Sequence, residues 1–109
     1  MRENTIEAYL RERVKSFGGK AYKFVSPGND GVPDRLVCLP GGQVAFVELK
    51  APGKKPTRLQ ILQQKQLKHL GFEVFVIDSK QGVNDFILQQ EVEGLCDESI
   101  LKRDWGPLK

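Results

Sequence analysis

Two strand-like runs, Gln43–Lys50 (QVAFVELK) and Phe72–Asp78 (FEVFVID), are separated by a segment with the length and end signals of a helix. Pro56 suits the first turn of that helix, which is expected to run to about Leu70, where Gly71 supplies the C-terminal cap. A strand, a helix and a strand in this order make a parallel crossover, because the helix carries the chain back along the sheet. Such crossovers are right-handed almost without exception. The run FEVFVID is apolar, β-branched and aromatic, and reads as a strand buried within the sheet.

The rest of the chain supplies elements to complete that sheet. At about 100° per residue, Ile6, Leu10, Val14 and Phe17 fall within a stripe about 80° wide, and Gly18-Gly19 stops the run. Lys20 to Val25 reads as a strand, with Tyr22 and Phe24 alternating against Lys23. Ser26 to Gly31 is a loop on its turn chemistry. Asp34–Pro40 (DRLVCLP) then forms a hairpin with Gln43–Lys50 across a tight Gly41-Gly42 turn. A further helix is expected over about Gly82 to Glu93. The order α-β-β-β-α-β-α fits an α/β fold, a single mixed sheet flanked by helices. Residues 1–94 make the domain, and 95–109 form a tail with little pattern that Trp105 docks. Tyr22, Phe24, Phe72 and Phe75 read as core residues.

At 109 residues there is room for one domain. No stretch approaches the roughly 18 apolar residues of a membrane span. The charged opening MRENTIEAYLRERVK lacks the apolar region of a secretory signal. Two scattered cysteines, Cys38 and Cys96, and one histidine give neither a disulfide framework nor a zinc site, so a reducing, cytoplasmic compartment is expected. His69 reads as a cation near a helix C-terminus. The net charge of +3 does not by itself define a partner. Its distribution is more informative: Lys50 to His69 holds Lys50, Lys54, Lys55, Arg58, Lys65 and Lys68 and no acid. This is either a phosphate-binding face or a solvated helix face, and charge alone does not decide.

The hairpin carries the chemistry. Asp34 opens one strand, Glu48 lies near the end of the next, and their midpoint is residue 41, the centre of the turn. A symmetric closure sets the two acids opposite each other, with Cβ atoms about 4.5–5.5 Å apart. Two carboxylates roughly 5 Å apart repel by about 3 kcal/mol at an effective dielectric of about 20. Such a pair needs a cation, a shared proton or full solvation. Lys50 projects from the same face as Glu48, as do Val44 and Phe46, so this face starts apolar and ends charged. Hard oxygen ligands suit Mg²⁺ or Mn²⁺. On the first helix, Glu3 falls about 25° from the centre of the apolar stripe and Glu7 about 65° away. Glu3 therefore faces inward and wants a partner, while Glu7 lies on the shoulder.

These residues spell a pattern. Pro33-Asp34 followed by Glu48-Leu49-Lys50 resembles the PD-(D/E)xK motif of restriction-endonuclease-like nucleases. With KFVSPGNDGVPDRLV, FVELKAPGKKP, Gln60 and LGFEVFVI, the stretch from Glu3 to Asp78 resembles the VRR-NUC domain, found in the Fanconi-associated nuclease and in small stand-alone phage and bacterial proteins. The resemblance implies an α-β-β-β-α-β core and hydrolysis of DNA phosphodiesters. It makes Asp34 and Glu48 metal-binding carboxylates, the Leu49 carbonyl a further ligand, Glu3 the helical acid and Lys50 the catalytic lysine. Gln60 matches the family's glutamine by spacing, although helix periodicity turns Gln63 more squarely inward. Lys54, Lys55 and Arg58, with Lys23 from the preceding strand, would hold flanking phosphates. Mg²⁺ or Mn²⁺ is the implied cofactor. Small stand-alone members cleave four-way (Holliday) junctions as homodimers, whereas fused members act on flaps as monomers. The resemblance therefore implies a junction-resolving dimer in a phage or bacterial host, with Leu95, Ile100, Leu101, Trp105 and Leu108 as the candidate dimer surface. The alternatives are a flap nuclease targeted by a replication or recombination partner, and a catalytically inactive DNA-binding module.

Overall fold

A computed structural model of the chain describes residues 2–95. Its elements are α1 (Glu3–Ser16), β1 (Lys20–Lys23), β2 (Arg35–Leu39), β3 (Gln43–Leu49), α2 (Arg58–His69), β4 (Glu73–Ile77) and α3 (Lys80–Leu95). The four strands form one mixed sheet in the order β1-β2-β3-β4. The pairs β1–β2 and β2–β3 are antiparallel, and β3–β4 is parallel. The α/β architecture and the parallel crossover through α2 are as the sequence predicts.

A short turn sets the hairpin. Pro40–Gly42 makes one turn of 3-10 helix, in which Gly41 and Gly42 take φ of 83° and 77°. Side chains with a Cβ rarely adopt this left-handed region, so the glycine pair is required there. The register that results pairs Leu39 with Gln43 and, at the far end, Arg35 with Val47.

Alternation along the strands then divides the sheet into two faces. Val37 and Leu39 of β2, with Ala45, Val47 and Leu49 of β3, pack against Ile6, Leu10 and Val14 of α1 and Val83, Phe86 and Ile87 of α3. Phe17 sits at the margin of this core, which closes the predicted α1 stripe. The opposite face carries Phe46, wedged edge-on between Phe24 and Phe72 at centroid distances of 5.5 and 5.6 Å. Glu48 is two residues further along the same face, toward α2.

Three expectations are corrected. The strand β4 is at the edge of the sheet, so among its residues only Ile77 is fully buried and Val76 is 42% exposed. Tyr22 and Phe72 are open to solvent: Tyr22 lies on the other edge strand with the Lys20 ammonium 4.7 Å over its ring, and Phe72 stays 44% exposed although its ring meets Phe46. Phe24 and Phe75 are half-buried, Phe75 packing edge-on against Phe86 at 4.8 Å. Finally, α2 starts two residues later than Pro56 suggests, because Thr57 caps it. The helix α3 begins at Lys80, where the Ser79 hydroxyl accepts the Gly82 N–H at 2.9 Å. Cys96, Trp105 and the proposed dimer residues Ile100, Leu101 and Leu108 lie outside the described residues, as do nearly all of 95–109.

Candidate active site

Asp34 is held from both sides. Its carbonyl accepts the Phe24 N–H at 2.8 Å, which extends the β1–β2 ladder by one residue. Its carboxylate Oδ1 accepts the backbone N–H of Leu49 at 3.0 Å. Continuing the β2–β3 register by one residue from the Arg35–Val47 pair sets Asp34 opposite Glu48, the pairing expected from the midpoint. The hairpin thus brings together Asp34, Glu48 and Leu49.

Glu48 is only 5% exposed. Its Oε2 accepts a hydrogen bond from Gln60 Nε2 at 3.3 Å, while its Oε1 is buried with no partner among the described residues. Burial pushes its carboxyl up to about 7 from an ordinary 4.5, helped by the negative charges of Asp34 and Glu3 and opposed by Lys50. The Asp34 carboxyl is also raised by burial, although the Leu49 N–H and the Arg35 charge pull the other way. Both acids therefore hold protons more tightly than usual, because their charged forms are short of compensation. A buried carboxylate oxygen without a partner is costly, and a cation in contact with it removes that cost.

Helix α1 closes the site on one side. Glu3, Asn4 and Glu7 line a pocket of about 250 Å³ together with Asp34 and Leu49. The two acids differ in their partners. Glu7 is paired with Arg35 at 3.1 Å and with Arg11 at 3.2 Å. Glu3 has no ion pair among the described residues. Glu3, in the first turn of α1, is exposed and Glu7 is half-buried, the reverse of the order their helix angles suggest, because Arg35 draws Glu7 over β2. Of the two, Glu3 keeps its charge free of an ion pair at the pocket. Among the described residues, however, no three His, Cys, Asp or Glu side chains are gathered as a ready metal cluster. Asp34 and Glu48 are a pair, and Glu3 stands at the pocket rim.

Helix α2 closes the other side, and its first turn decides between the two glutamines. Thr57 Oγ1 accepts the Gln60 N–H at 3.2 Å, and the Thr57 N–H donates to Gln60 Oε1 at 2.8 Å, a reciprocal capping box. Because Oε1 is taken by the Thr57 N–H, the amide presents its Nε2 to Glu48. Gln60 is thus the α2 glutamine that reaches Glu48, and Gln63 makes no such contact. The inward side of α2 carries Gln60, Gln63 and Leu67, all half-buried, with Gln64 buried, while Leu59, Ile61 and Leu62 are 41–51% exposed. Gln63 does turn inward, but it is the Gln60 amide that reaches Glu48. Periodicity assumed an apolar inward face. The Thr57-Arg-Leu-Gln60 spacing is itself a capping-box signature and was the readable signal for Gln60's role.

Lys50 follows β3 directly and is half-buried, with its backbone N–H donating to the Ile77 carbonyl at 2.9 Å. Lys54 and Lys55 in the loop before α2, Arg58 at its start and Lys23 at the end of β1 are all exposed.

Comparison with known proteins places this geometry. No family model matches the chain. The chain is 55% identical over 80 residues to a protein named "Putative nuclease p44" from Acyrthosiphon pisum secondary endosymbiont phage 1, covering 73% of this chain and 86% of that one. A solved structure described as a VRR_NUC domain superposes with a TM-score of 0.74 at 35% identity, covering 78% of this chain and 92% of that one. By sequence and by fold, the chain belongs to the VRR_NUC nuclease family.

Proposed function

We propose that this nuclease is a structure-selective DNA endonuclease that depends on Mg²⁺ or Mn²⁺. The observation that carries this reading is the buried, unpartnered Oε1 of Glu48 beside Asp34. Every candidate donor is a hard oxygen, which fits these ions and not zinc. Asp34, Glu48 and the Leu49 carbonyl hold the ion, with Glu3 contributing from the rim. When bound, the ion polarises a phosphate oxygen and lowers the pKa of a coordinated water. Gln60 keeps Glu48 in place through Oε2 and leaves Oε1 for the ion. Lys50 orients or deprotonates the attacking water, or neutralises charge that builds on the phosphorane.

Lys23, Lys54, Lys55 and Arg58 hold phosphates on either side of the scissile bond. Contacts of this kind carry no sequence information. The double variant Lys54→Ala/Lys55→Ala is therefore expected to bind all DNA sequences more weakly. The slope of log affinity against log salt should fall by up to about 2, near 1 for each lost phosphate contact. A changed sequence preference would show instead that this loop reads bases.

The substrate in this proposal is a four-way junction and the active form is a homodimer. A two-fold dimer holds two active sites in fixed relation and matches a two-fold substrate. Self-association is supported by the apolar side chains that α2 and the residues after it leave open, Leu62 at 51%, Leu70 at 71% and Phe72 at 44% exposed. No helix among the described residues is long and apolar enough to cross a membrane. The test is a panel of four-way junctions, flaps, hairpins and linear duplexes with Mg²⁺ or Mn²⁺, run beside light scattering. Paired nicks near the crossover by a dimer are expected. A monomer that cuts flaps faster than junctions would reverse the assignment, and tight binding without cleavage of any substrate would make the chain a binding module.

A further inference from the structure

The loop that leads into Asp34 touches the first turn of α2 at one point. Gly31 has φ +88°, and a Cβ built there would lie 2.9 Å from both the carbonyl carbon and the Cγ of Leu59, and 3.0 Å from its carbonyl oxygen. Ordinary contacts between carbons are about 3.5–4.0 Å. Gly31 stands three residues before Asp34, and the Leu59 carbonyl is bonded to the nitrogen of Gln60. The contact therefore joins the backbones that carry the acid of one side of the site and the glutamine of the other.

We propose that Gly31 is a positioning residue: its bare Cα seats the Asp34 loop against the Leu59–Gln60 peptide, and this seating sets where the Gln60 amide meets the Glu48 carboxylate. Of the two segments, α2 is the more loosely held. The loop end is pinned by the fully buried Pro33 and by both hydrogen bonds of Asp34, whereas in α2 Gln64 is the one buried residue and even it keeps 7% exposure. A methyl group at residue 31 would open the contact by at least about 0.6 Å. The Gln60–Glu48 hydrogen bond is already 3.3 Å long, and an added displacement of that size takes it beyond hydrogen-bond range. Glu48 sits in β3 and does not follow.

The same loop contains its own control. Gly28 has φ +83°, close to that of Gly31, but a Cβ there would meet nothing within 4 Å. Gly28→Ala imposes the same backbone strain without the collision. The experiment compares the two variants by nuclear magnetic resonance, following the Gln60 side-chain amide, the Leu49 backbone amide that donates to Asp34, and the Thr57 backbone amide. In Gly31→Ala the Gln60 side-chain signal is expected to move, while Leu49 and Thr57 stay, because the capping box travels with the helix. In Gly28→Ala all three stay. Cleavage is expected to fall at least ~10-fold in Gly31→Ala, the scale of loss for sub-ångström misplacement, and to stay at the wild-type rate in Gly28→Ala. If Gly31→Ala does not fold, Leu59→Ala at a half-exposed position removes the Cγ side of the contact and is expected to move the same Gln60 signal. An unmoved Gln60 signal in the variant that folds, or equal shifts in Gly31→Ala and Gly28→Ala, overturns the assignment. The cleavage arm rests on the endonuclease reading and the resonance arm does not. A wild-type protein that cuts no DNA would sink that reading, and the Gln60 signal would still decide the role of Gly31.

Discussion

Glu48→Gln is expected to stabilise the metal-free protein at pH 8 and to abolish cleavage. Folding raises the Glu48 carboxyl from an ordinary 4.5 to about 7. Between these values the folded state binds the proton more tightly than the unfolded chain does, so stability falls as pH rises. Below 4.5 both states are protonated and nothing is lost. Above 7 the folded protein carries the desolvated charge in full, at a cost of about 3 kcal/mol from the size of the shift. A glutamine keeps the shape and can still accept from Gln60 through its carbonyl oxygen, but it has no charge to desolvate. Denaturation in the presence of a chelator should show the variant more stable by up to about 3 kcal/mol at pH 8 and level with wild type at pH 4. With each kcal/mol worth about 4–8 °C in a domain near this size, the gain is easily resolved. With Mg²⁺ added, wild type should gain stability and the variant should not. A variant less stable than wild type at pH 8 would mean that the Glu48 charge is already compensated within the protein.

Lys50→Ala is expected to fold and to bind metal, but to hydrolyse DNA at least ~10²-fold more slowly, the lower range for a lost acid–base or charge-stabilising group. The lysine charge lowers the proton affinity of Glu48, against the larger effect of burial. Its removal therefore leaves Glu48 protonated to a higher pH, and the residual activity should rise toward more alkaline pH than in wild type. Initial rates across pH 6–9 at limiting Mg²⁺, where the ion competes with the Glu48 proton, and at saturating Mg²⁺, where it does not, separate the two effects, with a thermal-shift titration of the same ion reporting binding. Retention of most activity would make Lys50 a phosphate anchor.

How much of this was legible in the sequence follows from which interactions are local. The Pro40-Gly41-Gly42 turn is short enough to dictate the hairpin register, so the apposition of Asp34 and Glu48 could be read by counting from residue 41. The order of burial of Glu3 and Glu7 was not readable, since Glu3 in the first turn of α1 is exposed and Glu7 is half-buried. Neither was the Glu7–Arg35 ion pair, because it arises only when α1 packs across β2. Nor was the edge position of β4, since strand order beyond the hairpin depends on which side the α2 crossover takes, and an apolar run looks the same at an edge as at the centre. Gln60 shows both outcomes. Its spacing from Lys50 pointed to it, while the apolar periodicity of α2 favoured Gln63. Both turn inward beside the buried Gln64, and the Thr57 cap, which no apolar pattern encodes, aims the Gln60 amide at Glu48.

The most direct test of the central claim is the cleavage of a labelled four-way junction by wild type, Asp34→Asn and Glu48→Gln, with a chelator and then with Mg²⁺ or Mn²⁺ restored at limiting concentration. Paired acids that hold the ion predict no product in chelator, recovery with either ion in wild type, and no recovery in either variant although both still bind the junction. Product formed in chelator, or near-normal rates for either variant at limiting Mg²⁺, would contradict it.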